Sequence, residues 1–223
     1  MSIPERIESI KRELPSHVKL IAVTKTHPVE AIMQAYQAGH KVFGENRVQE
    51  LMAKYNQLPK DVEWHLIGHL QTNKVKYIAP FISLIHSVDS IKLLSAIDKE
   101  GEKFNRVIDS LLQVHIALEE TKFGLSADEL HQLLQSSEYA QMRHIRILGL
   151  MGVATFTDNH QLVRTEFRFL RNLFDEVKRL YFSQTESFNE LSMGMSSDYR
   201  IAVEEGSTMV RIGSNIFGMR SYT

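Results

Sequence analysis

Lys25 ends an apolar run in KLIAVTKTHP, directly before the signals that open a helix. Alternation along an extended segment places Ile21, Val23 and Lys25 on one face. If the first two point into an apolar interior, the ammonium group of the third lies above an apolar floor. Desolvation there favours the neutral amine, the form that attacks a carbonyl carbon. An arbitrary lysine is a solvated loop residue; the strand-end position raises the chemical reading to an equal footing.

A second group of residues lies far along the chain, in LSMGMSSDYRIAVEEGSTMVRIGSNIFG. Two small-residue turns each follow a strand-like run, one over Ser192 to Ser197 and one over Gly213 to Asn215. Glycine lets a ligand approach the backbone, and Ser192, Ser196 and Ser214 add hydroxyls, so the turns suit a phosphate; ordinary turn and cap chemistry is the plainer reading. Arg211, inside MVRIGS, is a charge on a strand that must find a partner or a ligand. An amine for an aldehyde, donors for a phosphate and a cation for a ring nitrogen are together the three anchors of pyridoxal phosphate. Asn46 in GENRVQE and His65 and Asn73 in WHLIGHLQTNK fall near the same rim. His65 and His69 invite a metal reading, but no H-E-x-x-H or paired carboxylate stands at ligand spacing, which favours structural histidines and no metal.

These groups work together only if strands carry them to one end. Eight strand candidates are Val18 to Thr24, Lys41 to Gly44, Trp64 to Ile67, Ile82 to Ser87, Leu111 to Leu118, Ile145 to Ala154, Phe188 to Met193 and Met209 to Ile212. Segments of helical period alternate with them, the clearest being Val163, Phe167, Leu170, Phe174, Val177 and Tyr181. Pro28 with Gly39, and the Ser126 to Glu129 spacing, mark helix ends. The repeat of about 24 to 25 residues matches a strand, a helix and two loops. The expected fold is therefore α/β, a single TIM-type (β/α)8 barrel with an extra N-terminal helix built on Ile3, Ile7, Ile10 and Leu14, residues 1–223 forming one domain. In such a barrel the loops after strands seven and eight frequently hold phosphate. An open doubly wound sheet is the alternative, although no G-x-G-x-x-G follows the first strand.

Composition narrows the partners. The 223 residues are 43% hydrophobic and 24% charged with a net charge of -1, which supplies a core but no bulk attraction to nucleic acid or membrane. No secretory stretch or membrane span is read, so the cytoplasm is the expected location. The absence of cysteine excludes disulfides and thiolate chemistry.

The segments AVTKTHP, FGENRVQEL, WHLIGHLQTNK, ETKFGL, GLMGVAT, LSMGMSSDY and VRIGSNIFG, in order and spanning the chain, resemble the pyridoxal-phosphate homeostasis protein family, single-domain relatives of the alanine racemase barrel. The resemblance implies a reversible cofactor imine at Lys25, ring-nitrogen contact from Arg211, phosphate binding by the Ser192 to Ser196 turn with Gly213 and Ser214, and Asn46 facing the cofactor. His115 stands where the family pattern leads one to expect asparagine. Two-domain racemases of this fold add a β-domain and take a second base, a tyrosine, across a dimer interface. This chain ends ten residues after Gly213, so efficient two-base racemisation is not expected. The implied function is a monomeric pyridoxal-phosphate-binding protein of intracellular vitamin B6 and amino-acid homeostasis, with delivery to apo-enzymes and no robust catalysis. A racemase-like amino-acid enzyme of low activity is the alternative, and without the resemblance a cofactor-free lysine aldolase would be a third.

Overall fold

The computed structural model describes residues 1–119 and 123–218. The chain opens with α1 (Ile3–Glu13), started by a capping box in which the Ser2 hydroxyl accepts from the Glu5 N–H and the Glu5 carboxylate accepts from the Ser2 N–H. Strands and helices then alternate: β1 (Lys19–Val23), α2 (Val29–Gln37), β2 (Val42–Glu45), α3 (Val48–Gln57) and β3 (Glu63–Leu66). A 3-10 turn over Thr72–Lys74 leads into the short α4 (Val75–Ile78). There follow β4 (Leu84–Val88), α5 (Ile91–Lys103), β5 (Ile108–Val114), α6 (Ala127–Gln135), α7 (Ser137–Gln141) and β6 (Ile145–Gly152). The last are α8 (His160–Tyr181), β7 (Glu190–Met195), α9 (Tyr199–Glu204), β8 (Met209–Ile212) and α10 (Ser214–Phe217).

All eight strands pair in parallel with their neighbours, and β8 returns to β1 to close the barrel. The open-sheet alternative is thereby excluded. Alternation divides the apolar residues into two layers. Ala22, Phe43, Trp64, Leu112 and Val210 face outward into the layer under the helices, where Phe167, Leu170 and Phe174 of α8 pack. Ile21, Leu84, Leu111, Met151 and Met209 form a separate interior plug. Filling the barrel low down with apolar side chains leaves its upper end for polar groups.

The fifth strand differs from the sequence expectation, beginning at Ile108 and ending at Val114 instead of running from Leu111 to Leu118. At its start Asp109 pairs with Arg146 of the neighbouring strand. Beyond Val114 the incoming loop takes over the pairing: the His115 N–H donates to Leu125 O and the Leu125 N–H to Gln113 O. Ile116 is apolar because it packs into the main core cluster, near Gly152, not because it continues the strand.

Candidate functional site

At the carboxyl end of the strands lies a cavity of about 440 Å³, lined by residues at the ends of β1, β2, β3, β6, β7 and β8 and in the loops that follow them. Val23 lines its floor above Ile21, and Lys25 lines its wall. Ile21 and Val23 follow the expected alternation, whereas Lys25 lies in the turn beyond β1 and reaches the cavity from there. Lys25 is half-buried and is followed by Thr26, a non-glycine residue at φ 65° in the left-handed region. Asn46, Ser196, Arg211, Gly213 and Ser214 line the same cavity. Sequence reasoning thus brought six of its eight site residues to one place.

The other two, His65 and Ser192, lie beneath it. Both are buried and absent from the lining. An Arg211 Nη1–H donates to Ser192 Oγ at 2.6 Å, and its Nη2–H donates to Gly152 O at 2.9 Å. Ser192 Oγ lies 2.9 Å from His86 Nδ1, and His86 Nε2 lies 2.9 Å from His65 Nδ1. The structure places the Ser192 hydroxyl below the cavity lining, where it accepts from Arg211. The reason is depth along the strand: Ser192 lies within β7, whereas the lining from this segment begins at Met195, the last residue of the strand.

The electrostatics of this chain follow from burial. Desolvation holds His65 down at about 3 and His86 well below the ordinary value of 6.5, so both are neutral at physiological pH. Burial also lowers Arg211 to about 10, opposed by the Asp198 carboxylate, so the guanidinium remains a cation. Asp198 Oδ1 in turn accepts the Met195 N–H at 2.5 Å, bracing the turn after β7. The Ser196 hydroxyl accepts the Gly213 N–H at 3.2 Å and the Ser196 carbonyl accepts from Asn215 Nδ2 at 3.0 Å. The two small-residue turns are hydrogen-bonded to each other as one rim.

Sequence reasoning missed His27, Ser197 and Phe156, which also line the cavity, and His86, which links the buried chain. His86 had a signal: a histidine two residues after Leu84 in an apolar strand must share the interior face. The metal reading finds no support, since His65 faces His86 whereas His69 lies 3.2 Å from Asp89 and stacks on Phe123. Among the described residues no group of three or more candidate ligands gathers, and no helix is long and apolar enough to cross a membrane. His115, where the resemblance leads one to expect asparagine, is not among the residues that line the cavity, and its Nε2 lies 3.0 Å from Glu119 O. Residues 120–122 of the ETKFGL segment lie outside the described residues.

A closed parallel barrel that gathers a lysine, an arginine and two serine–glycine turns at the carboxyl end of its strands is a lysine-bearing barrel of the alanine racemase type. The chain matches the alanine racemase N-terminal domain family over residues 2–221 and belongs to the pyridoxal phosphate homeostasis proteins. It is 45% identical over 205 residues to the pyridoxal phosphate homeostasis protein of Aquifex aeolicus, covering 92% of this chain and 88% of the relative. The protein of that name from a Synechocystis species is 35% identical, with 99% and 100% covered. The structure of PipY of Synechococcus elongatus with pyridoxal phosphate bound superposes with a TM-score of 0.87 at 37% identity, covering 97% of this chain and 100% of that one. Alanine racemase from Bartonella henselae, at 16% identity and a TM-score of 0.72, shares the fold, this chain spanning 58% of its length.

The residues present fit pyridoxal phosphate. Asn46 Oδ1 is buried with no hydrogen-bond partner, an acceptor suited to a phenolic hydroxyl. A Cβ on Gly213 would lie 3.2 Å from Val23 O, a tight contact that glycine avoids without any shift of the backbone. Lys25 supplies an amine, Arg211 a cation, and the Ser196 and Ser214 turns hydroxyls and backbone donors.

Proposed function

We propose that this protein binds pyridoxal phosphate at the barrel mouth and holds it reversibly through Lys25. It would thereby keep the reactive aldehyde sequestered and available to apo-enzymes as part of vitamin B6 homeostasis. One observation carries the reading: Lys25, Arg211 and both turns line a single cavity. The lysine amine adds to the aldehyde carbon and a water molecule leaves; exchange with another amine reverses the attachment. When bound, the cofactor supplies an electron-withdrawing ring. Arg211 acts against that capacity, because a fixed guanidinium facing a ring nitrogen disfavours its protonation and so weakens the electron sink. Among the described lining residues there is no carboxylate and no tyrosine. A lysine there can exchange amines, whereas two-sided proton transfer would require an opposed base, a role that among these lining residues falls to His27.

Borohydride reduction of the protein loaded with pyridoxal phosphate, followed by peptide mapping, is expected to fix the pyridoxyl group on the Lys25 peptide. Labelling that persists unchanged in Lys25→Ala would end the assignment. Mixing the loaded protein with a pyridoxal-phosphate-dependent apo-enzyme is expected to restore that enzyme's activity. A failure there removes delivery and leaves sequestration. The rival reading, a racemase-like enzyme of low activity, has one observation in its favour: His27 also lines the cavity. Steady racemisation abolished by both Lys25→Ala and His27→Ala would establish it.

A further inference from the structure

Lys54 is a buried ammonium group with no part in the cavity, and its position relative to Lys25 assigns it one. Its Nζ donates to Thr24 O at 2.7 Å, to Glu45 Oε1 at 2.5 Å and to Glu50 Oε2 at 3.5 Å. An ammonium has three hydrogens, and each has an acceptor. The acceptors come from three segments that bound the mouth: the end of β1, the end of β2 and the first turn of α3. Thr24 immediately precedes Lys25. Glu45 immediately precedes Asn46, takes the Thr24 hydroxyl at 2.6 Å and, through Oε2, the Asn46 N–H at 3.3 Å. Glu50 Oε2 also accepts the Thr26 N–H at 2.9 Å, immediately after Lys25. The backbone on both sides of Lys25 is therefore tied to one buried cation, directly on one side and through Glu50 on the other.

Burial makes the arrangement unforgiving. The Lys54 and Glu45 side chains are 8% and 0% exposed. Thr26 sits at φ 65°, a conformation that a β-branched residue adopts only where its surroundings hold it. Two bonds hold this turn: the Thr26 N–H to Glu50 Oε2, and the His27 N–H to Thr24 O at 3.0 Å, the same carbonyl that accepts from Lys54. Burial raises the Glu45 carboxyl despite the adjacent ammonium, so removing Lys54 alone would leave a group that neutralises and loosens the centre.

We propose that the Lys54 centre is a positioning device: it sets the turn that presents Lys25 and, through Glu45, registers Asn46 against it. The inference rests on the role proposed for Lys25, but its first test does not need the cofactor. Hydrogen exchange at the Thr26 amide is expected to rise on the order of tenfold or more in Glu50→Ala, while amides of β5 and α8 keep their protection. Glu50→Gln retains the acceptor and is expected to restore protection. The double variant Lys54→Met/Glu45→Gln removes the cation without stranding a buried charge. In it, trapping of pyridoxal phosphate at Lys25 by borohydride is expected to fall about tenfold or more, because small displacements of a reacting group cost that much. Binding of pyridoxamine phosphate, which has no aldehyde but still meets Asn46 and the rim, is expected to weaken several-fold less than trapping does, whereas a general loosening of the mouth would weaken both equally. Normal Thr26 protection in Glu50→Ala, or undiminished trapping in the folded double variant, would overturn the proposal. Should the wild-type chain carry no label at Lys25, the proposed function fails while Thr26 exchange still judges the clamp.

Discussion

Ser192 supports the cavity from below its lining. It accepts from Arg211 and meets His86, all three within the barrel and shielded from water. Ser192→Ala is expected to cost about 1 to 3 kcal/mol of unfolding free energy, because a buried guanidinium N–H and an imidazole nitrogen lose their partner together. Urea unfolding measures this, and a change below about 0.5 kcal/mol would show that the chain relaxes onto other acceptors. Lys25, at the rim and half-buried, belongs to a different class. Lys25→Ala should abolish trapping while shifting stability by no more than about 0.5 kcal/mol, since it takes nothing from either apolar layer.

At the scale of elements, the site depends on how closely β6 and β7 approach. Gly149 pairs with Glu190 at φ 154°, and a Cβ there would lie 1.7 Å from Glu190 O. Neither strand can yield without opening the barrel. Gly149→Ala is therefore expected to lose roughly 3 to 5 kcal/mol or to fail to fold; circular dichroism and a melting curve decide, and a wild-type melting temperature would refute it. The rim built from the turns after β7 and β8 makes a different prediction. If it holds the phosphate, pyridoxal phosphate should bind far more tightly than pyridoxal, since each charge-assisted hydrogen bond contributes roughly 1.5 to 3 kcal/mol. Equal affinities in a fluorescence titration would remove the phosphate from that rim.

The molecule as a whole carries a pH dependence written in its buried histidines. Burial holds His65 at about 3 and His40 at about 4, with His86 well below 6.5. Between those values and 6.5 the unfolded chain binds protons that the native chain refuses, so stability falls as pH drops through that window and has no such slope above it. Glu45, whose carboxyl burial raises, works in the opposite sense at the acid end. Thermal unfolding from about pH 7 to pH 4 is expected to show a steady loss that is shallower in His65→Gln. A flat melting temperature across that range would contradict neutral burial of these rings.

Much of this was legible in the linear chain, and the reason is periodic. Strand alternation depends on neighbours two residues apart, so Ile21 and Val23 could be placed on one face from their spacing, and the order of eight strands implied a closed barrel. Lys25, Asn46, Ser196, Arg211, Gly213 and Ser214 reached the cavity because each lies on or just beyond a strand's carboxyl end. Contacts between distant strands have no such local signature. His65 and His86, 21 positions apart, meet because β3 pairs with β4, and Ser192 and His86, 106 positions apart on β7 and β4, meet only across the closed barrel's interior. Irregularities were invisible for the same reason: β6 shifts register against β5 where Gly149 meets Leu111, so an apolar run on both faces hid a bulge. The Lys54 centre is the clearest case. Its lysine, two glutamates and threonine look like ordinary surface residues in sequence, and only the packing of α3 against the ends of β1 and β2 takes them out of water and makes their pairing obligatory.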